Sequence, residues 1–77
     1  MGAEDVINFL EEHKGQEFTT TEISDVLNIS LKPIRVVVSN LLSDPFVKVK
    51  RRTLTFKEKK QKYHKVINAQ IFVYKLI

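Results

Sequence analysis

The chain has 77 residues and no cysteine. That length makes one domain the prior, and the missing cysteine excludes disulfides, thiolate nucleophiles, iron–sulfur clusters and cysteine-ligated zinc together. Apolar residues are 43% and charged residues 29% of the chain, an ordinary globular composition.

The net charge of +4 conceals a segregation. Residues 1–47 hold three Lys or Arg against eight Asp or Glu, a net of −5; residues 48–77 hold ten against Glu58 alone, a net of +9. Such an asymmetry makes an oriented field that steers a polyanion to one end of the molecule. Glu4 and Asp5 precede the first apolar residues, so the start lacks the basic opening and apolar core of a signal peptide. No apolar run approaches the roughly 18 residues of a membrane span. A cytoplasmic protein with no membrane partner is expected, nucleoid-associated if bound to DNA.

In chain order, "AEDVINFLEEHK" places Val6, Ile7, Phe9 and Leu10 at helical spacing. The early acids and the late His13 and Lys14 suit the helix dipole, and Gly15 suits a left-handed stop. A first helix is expected over 3–14. Residues 17–19 are short and extended in flavour. Thr19 and Glu22 then fit the S/T-x-x-E capping box, and Ile23, Val26 and Leu27 follow at i, i+3, i+4. A second helix is expected over 20–27, with Asn28 in a left-handed turn and Ile29 plugging that turn from inside.

Ser30 is a candidate cap for a third helix over 31–43, with Pro33 in its first turn. Ile34, Val37, Val38 and Leu41 form its inward stripe. Its β-branched content gives it poor intrinsic propensity, so packing must hold it. Asp44-Pro45 ends it, because a residue before proline avoids helical geometry. The period then changes. "FVKVKRRTLTF" and "VINAQIFVYKL" are β-branched and aromatic with partial alternation, so strands are expected over 46–56 and 66–76. Between them lies "KEKKQKYHK", with no Gly and no Asn-Gly pair. A long, mobile, basic hairpin tip is expected rather than a tight turn.

The fold expected over 1–77 is therefore α+β: a three-helix bundle with a C-terminal β-hairpin. Helix, turn and helix over 20–43 fit a helix-turn-helix. The pattern "EISDVLNIS…IRVVVSNLL" resembles the winged helix-turn-helix family, whose E-I-A-like start, small helix-2 residue, apolar-Ser turn and apolar-Arg pair fall on Glu22, Ile23, Ser24, Ile29, Ser30, Ile34 and Arg35. The resemblance covers nearly the whole chain, with the hairpin as the wing, and points to a small stand-alone regulator. Two departures stand out: Val37 replaces the usual small residue near the middle of the third helix, and the wing is long and lacks Gly.

The resemblance implies that the third helix enters the major groove of double-stranded DNA. Its outward residues are then Lys32, Pro33, Arg35, Val36, Ser39 and Asn40. Arg reaches guanine bidentately, Asn reaches adenine, and Val touches a thymine methyl. Ser30 and the free N–H groups at the helix start suit a phosphate. A plain solvated helix face is the competing account, and two cations are sparse for a base reader. The hairpin is richer. Lys48, Lys50 and Arg52 alternate onto one strand face, and Arg51 faces the other way. Lys57, Lys59, Lys60, Lys62 and Lys65 cluster at and beyond the tip, with Tyr63 and His64 interleaved. An arm with these charges suits a phosphate backbone or a narrow minor groove. A solubilising charge run is the competing account, but the near absence of acids speaks against it.

No catalytic, cofactor-binding or metal-binding residue is expected. His13 and His64 have no partners at metal spacing, Glu11 and Glu12 are neighbours on a solvated helix face, and no phosphate loop or nucleophile elbow occurs. The expected function is thus non-enzymatic: transcription regulation by DNA binding. Two alternatives stay open: a non-specific architectural DNA or RNA binder led by the basic wing, and a winged-helix protein-interaction subunit. The last strand is apolar on both faces through Ile71, Phe72, Val73, Tyr74, Leu76 and Ile77. Its second face needs cover, either from a homodimer partner or from the N-terminal segment over 1–9.

Overall fold

The computed structural model describes residues 3–77. Helix α1 covers Ala3–Glu12, α2 Thr20–Leu27 and α3 Leu31–Ser43; strand β1 covers Val49–Thr53, helix α4 Phe56–Tyr63 and strand β2 Phe72–Leu76. The described residues form an α+β fold with four helices and one antiparallel two-stranded sheet.

Helix α1 ends two residues before the expected 14. Its last turn tightens, with the Lys14 N–H donating to Glu11 O at 3.3 Å. Gly15 then takes the left-handed φ of +87° and sends its N–H to Leu76 O at 2.8 Å. Helix α2 has the expected bounds because its cap forms. The Glu22 N–H donates to Thr19 Oγ1 at 3.1 Å, and the Thr19 N–H donates to Glu22 Oε1 at 2.8 Å. Asn28 closes the helix at φ 55°. The small side chain of Ser24 allows its hydroxyl to donate to Ile29 O, which pins the turn. Helices α2 and α3 meet across that turn with a 120° bend. Ser30 precedes α3, but its side chain makes no capping hydrogen bond.

The core lies among α1, α2 and α3: Val6, Phe9, Leu10, Ile23, Ile34, Val38 and Leu41 are buried. Val6, Leu10, Ile23, Ile34 and Val38 are essentially inaccessible, and burial of such a side chain contributes about 1.5–3 kcal/mol. That is enough to override the poor helix propensity of α3. One expected stripe position fails: Val26 is 62% exposed, because the short α2 turns only Ile23 and Leu27 inward.

In the sheet, Val49 pairs with Leu76, Lys50 with Lys75, Arg51 with Tyr74, Arg52 with Val73 and Thr53 with Phe72. Phe18 adds a bridge to the other edge of β2, exchanging N–H to O bonds with Tyr74 at 2.9 and 2.8 Å. Strand alternation gives the sheet an inner face of Val49, Arg51, Thr53, Phe72, Tyr74 and Leu76. Val49, Tyr74 and Leu76 from that face pack on the helical core.

The segment between the strands departs from expectation. It is not a mobile tip between long strands but an ordered helix, α4, between strands of five residues each. The physical reason is a second capping box. Thr55 Oγ1 accepts from the Glu58 N–H at 3.2 Å, and Glu58 Oε1 accepts from the Thr55 N–H at 2.8 Å. No β-branched residue follows until Val66, and His64 takes the left-handed C-cap at φ 58°. Residues 66–71, expected as strand, instead form the return from α4 to β2.

The second face of β2 buries Val73. Val73 is 3% exposed and lines one cleft with Leu54 and with Glu58, Gln61 and Lys62 of α4. The expected cover by residues 1–9 partly falls on Met1 and Gly2, which lie outside the described residues.

Candidate nucleic-acid interface

Helix α3 displays the expected outward residues. Lys32, Pro33, Arg35, Val36, Ser39 and Asn40 are all exposed, as is Ser30 before it. Their spacing keeps them on one stripe opposite Ile34, Val38 and Leu41.

The basic residues of 48–75 divide into three groups, with Arg51 apart from them. The first is occupied within the fold. The Arg52 guanidinium donates from Nε and Nη2 to Glu17 at 2.8 Å each, and from Nη1 and Nη2 to Glu58 at 2.7 and 2.9 Å. Lys62 Nζ donates to Glu22 Oε2 at 2.9 Å. Lys59 is 7% exposed, and its ammonium donates to Ala69 O at 2.9 Å. These three cations tie α4 to β1, to α2 and to the return segment. Their expected role on phosphate competes with these bonds.

The acids respond accordingly. The Arg52 hydrogen bonds, seconded by the Thr55 N–H, draw Glu58 down from 4.5 to about 2. The Arg52 hydrogen bond also lowers Glu17 against a smaller burial effect. Burial pushes Glu22 upward, but Lys62 and the Thr19 N–H together outweigh it and the net shift is down. Arg52 itself is held more firmly protonated by both carboxylates.

The second group is exposed on or just beyond α4: Lys57, Lys60, His64 and Lys65. Phe56 is 56% exposed on the same helix. The third group is on the strands. Lys50 faces Lys75 directly across the sheet, and both border a cleft with Arg52, Glu17 and Gly15. Like charges in direct cross-strand register repel, a cost that an anion laid over the outer face would remove. Lys48 continues this alternation. Lys75 joins the group only through strand register, which residue spacing alone does not reveal.

Arg51 is on the inner face, with its guanidinium 4.7 Å from the centroid of the Phe72 ring. Phe72 in turn borders a cleft of about 520 Å³ shared with Arg35 of α3 and Tyr63 of α4. Thr19, Thr20 and Thr21 close one side, and Gln70, Ile71 and Tyr74 the other. The outward stripe of α3 and the basic helix α4 therefore meet at one concavity. Of the residues that border this cleft, the sequence marks Arg35 as a binding residue and Tyr63 as an aromatic interleaved with the basic tip. Phe72 and Gln70 arrive there only because β2 starts at Phe72.

Among the described residues, no cluster of three or more His, Cys, Asp or Glu side chains could hold a metal ion, and no single helix is long and apolar enough to cross a membrane. His13 instead packs its ring against Phe9 and Phe18, at centroid distances of 4.8 and 5.5 Å. Comparison with known proteins found no matching family model, no matching curated protein and no matching solved structure.

Proposed function

We propose that the chain is a DNA-binding protein of the winged helix-turn-helix type, acting as a transcriptional regulator. The order α1, bridging residue Phe18, α2, turn, α3 and antiparallel β1–β2 is compatible with that architecture. In this reading α3 enters the major groove, where Arg35, Ser39 and Asn40 meet base edges. The wing is β1, α4 and β2, and its exposed cations rest on the flanking backbone or minor groove.

The observation that carries the reading is the cleft that Arg35 shares with Tyr63. It brings Arg35 of the outward stripe of α3 and Tyr63 at the end of α4 to one border. Electrostatics agrees, since nine of the ten cations of residues 48–77 lie in or beside β1 and α4, and the tenth is Lys75 of β2.

A second reading is non-specific binding of DNA or RNA. It is favoured by the distribution of exposed charge: Lys57, Lys60 and Lys65 on or beside α4 outnumber Lys32 and Arg35 on α3. Selection from a random duplex library, followed by anisotropy titration across salt concentrations, separates the two. A regulator enriches one short site. Equal binding of every duplex, single strand and structured RNA supports the second reading. Absence of any binding at about 50 mM salt, where phosphate contacts are strong, overturns both.

A further inference from the structure

The cleft between α3, α4 and the start of β2 has a lining that binding to a duplex groove leaves unexplained. Its walls carry one guanidinium (Arg35), three aromatic residues (Tyr63, Phe72 and Tyr74), one side-chain amide (Gln70) and the threonines Thr19, Thr20 and Thr21. No carboxylate lines it. Its volume of about 520 Å³ lies within the roughly 300–1,000 Å³ of small-molecule pockets.

A site for phosphate alone needs no rings. A site for an apolar ligand needs no guanidinium. A planar ring wall, an amide with paired donor and acceptor, and a cation together match the parts of one nucleotide. Bases stack on aromatic rings regardless of sequence. An amide side chain satisfies a base edge with two hydrogen bonds. Arginine suits the phosphate through its fork of N–H groups. The Arg51 guanidinium, 4.7 Å from the Phe72 centroid, fixes that ring and adds positive charge beside it.

We propose that this cleft binds a single unstacked nucleotide, its base against Tyr63, its base edge on Gln70 and its phosphate on Arg35. The inference rests on the nucleic-acid reading above and adds to it. The site would accept an unpaired nucleotide at a duplex end, a bulge or a flipped position, with Arg35 moved onto its phosphate while Ser39 and Asn40 stay with paired bases.

The test is an amide chemical-shift titration of the full chain with deoxyadenosine monophosphate, 2-deoxyribose 5-phosphate and inorganic phosphate in parallel. The expected result is a response at Thr20, Thr21, Tyr63, Gln70 and Phe72, with the nucleotide at least about tenfold tighter than either base-free probe, as base stacking predicts. Tyr63→Leu keeps an apolar filler and should erase that preference; Gln70→Ala, at an exposed position, should weaken the nucleotide without changing the affinity for phosphate. Equal affinity for all three probes overturns the proposal, and so does a response confined to the lysines of α4. Blunt-duplex binding by the unaltered chain is measured alongside. If the duplex binds and the nucleotide does not, this inference alone fails. If neither binds, the nucleic-acid reading fails with it.

Discussion

Arg52 and Glu58 are joined by two parallel hydrogen bonds of 2.7 and 2.9 Å, while the remaining donors of the same guanidinium hold Glu17. One side chain of β1 thus binds the start of α4 on one side and the segment preceding α2 on the other. Such planar, two-pronged geometry is available to arginine and not to lysine. Arg52→Lys should therefore release α4 nearly as fully as Arg52→Ala. Amide hydrogen exchange is the measurement: protection should fall across Phe56–Tyr63 while α1 and α3 keep theirs. Uniform loss across the chain would contradict a local tether.

The same pair sets an acid limit. Glu58 titrates at about 2 in the folded chain, against an ordinary 4.5. A depressed carboxylate stabilises the fold in full above its ordinary value and loses that contribution as pH falls toward the folded value. Glu17 and Glu22 are lowered in the same direction. Helical signal from α4 should therefore hold down to about 4.5 and decline between there and about 2. Circular dichroism of the unaltered chain beside Arg52→Gln checks this, because the variant, without the main cause of the Glu58 shift, should start from a weaker α4 signal and lose less of it over that range.

The two capping boxes predict different consequences for one chemical change. Thr19→Ala and Thr55→Ala each remove a cap worth roughly 1 kcal/mol. Thr19 is buried beside the core, so its loss should lower the global unfolding midpoint. Thr55 is exposed and caps a helix held by side-chain tethers, so its loss should appear as fraying of α4 with little change in that midpoint. Denaturant titration paired with hydrogen exchange distinguishes them.

Lys59 and Lys60 are adjacent in sequence but opposite in role. Lys59 is buried along its stem, so Lys59→Ala should destabilise the return segment, and Lys59→Met, which keeps the stem, should do so less. Lys57→Ala with Lys60→Ala should leave the fold intact and weaken all duplexes alike. The slope of log affinity against log salt should fall by roughly 1.8, about 0.9 for each phosphate that is no longer neutralised. Arg35→Ala should instead relax site preference, at about 1–3 kcal/mol on the best site.

Much of the helical part was legible because its signals are local. Thr19 with Glu22, Asn28, and Asp44 before Pro45 each act within four residues, and α2 and α3 begin and end where they predict. The helix α4 was equally local, since Thr55 and Glu58 repeat the spacing of Thr19 and Glu22. Its signal was masked by the density of lysine, which has the composition of a solvated tip. Which lysines are free was not legible. Arg52 reaches Glu17 across 35 positions, and Lys62 reaches Glu22 across 40. The first pair exists only once β1 lies beside the segment before α2, and the second only once α4 comes within reach of α2. The same holds for the cleft, whose walls come from four stretches of chain.

Both capping carboxylates serve twice. Glu22 holds the Thr19 N–H with one oxygen and Lys62 with the other, and Glu58 holds the Thr55 N–H together with Arg52. The order of two helix starts is thereby coupled to the company kept by two surface cations. A polyanion that draws Arg52 or Lys62 onto itself withdraws a counter-charge from a helix cap. By linkage, whatever tightens those caps must weaken that polyanion's hold in equal measure. Ionic strength, acidity and bound phosphate would then act on α4 through a single shared equilibrium.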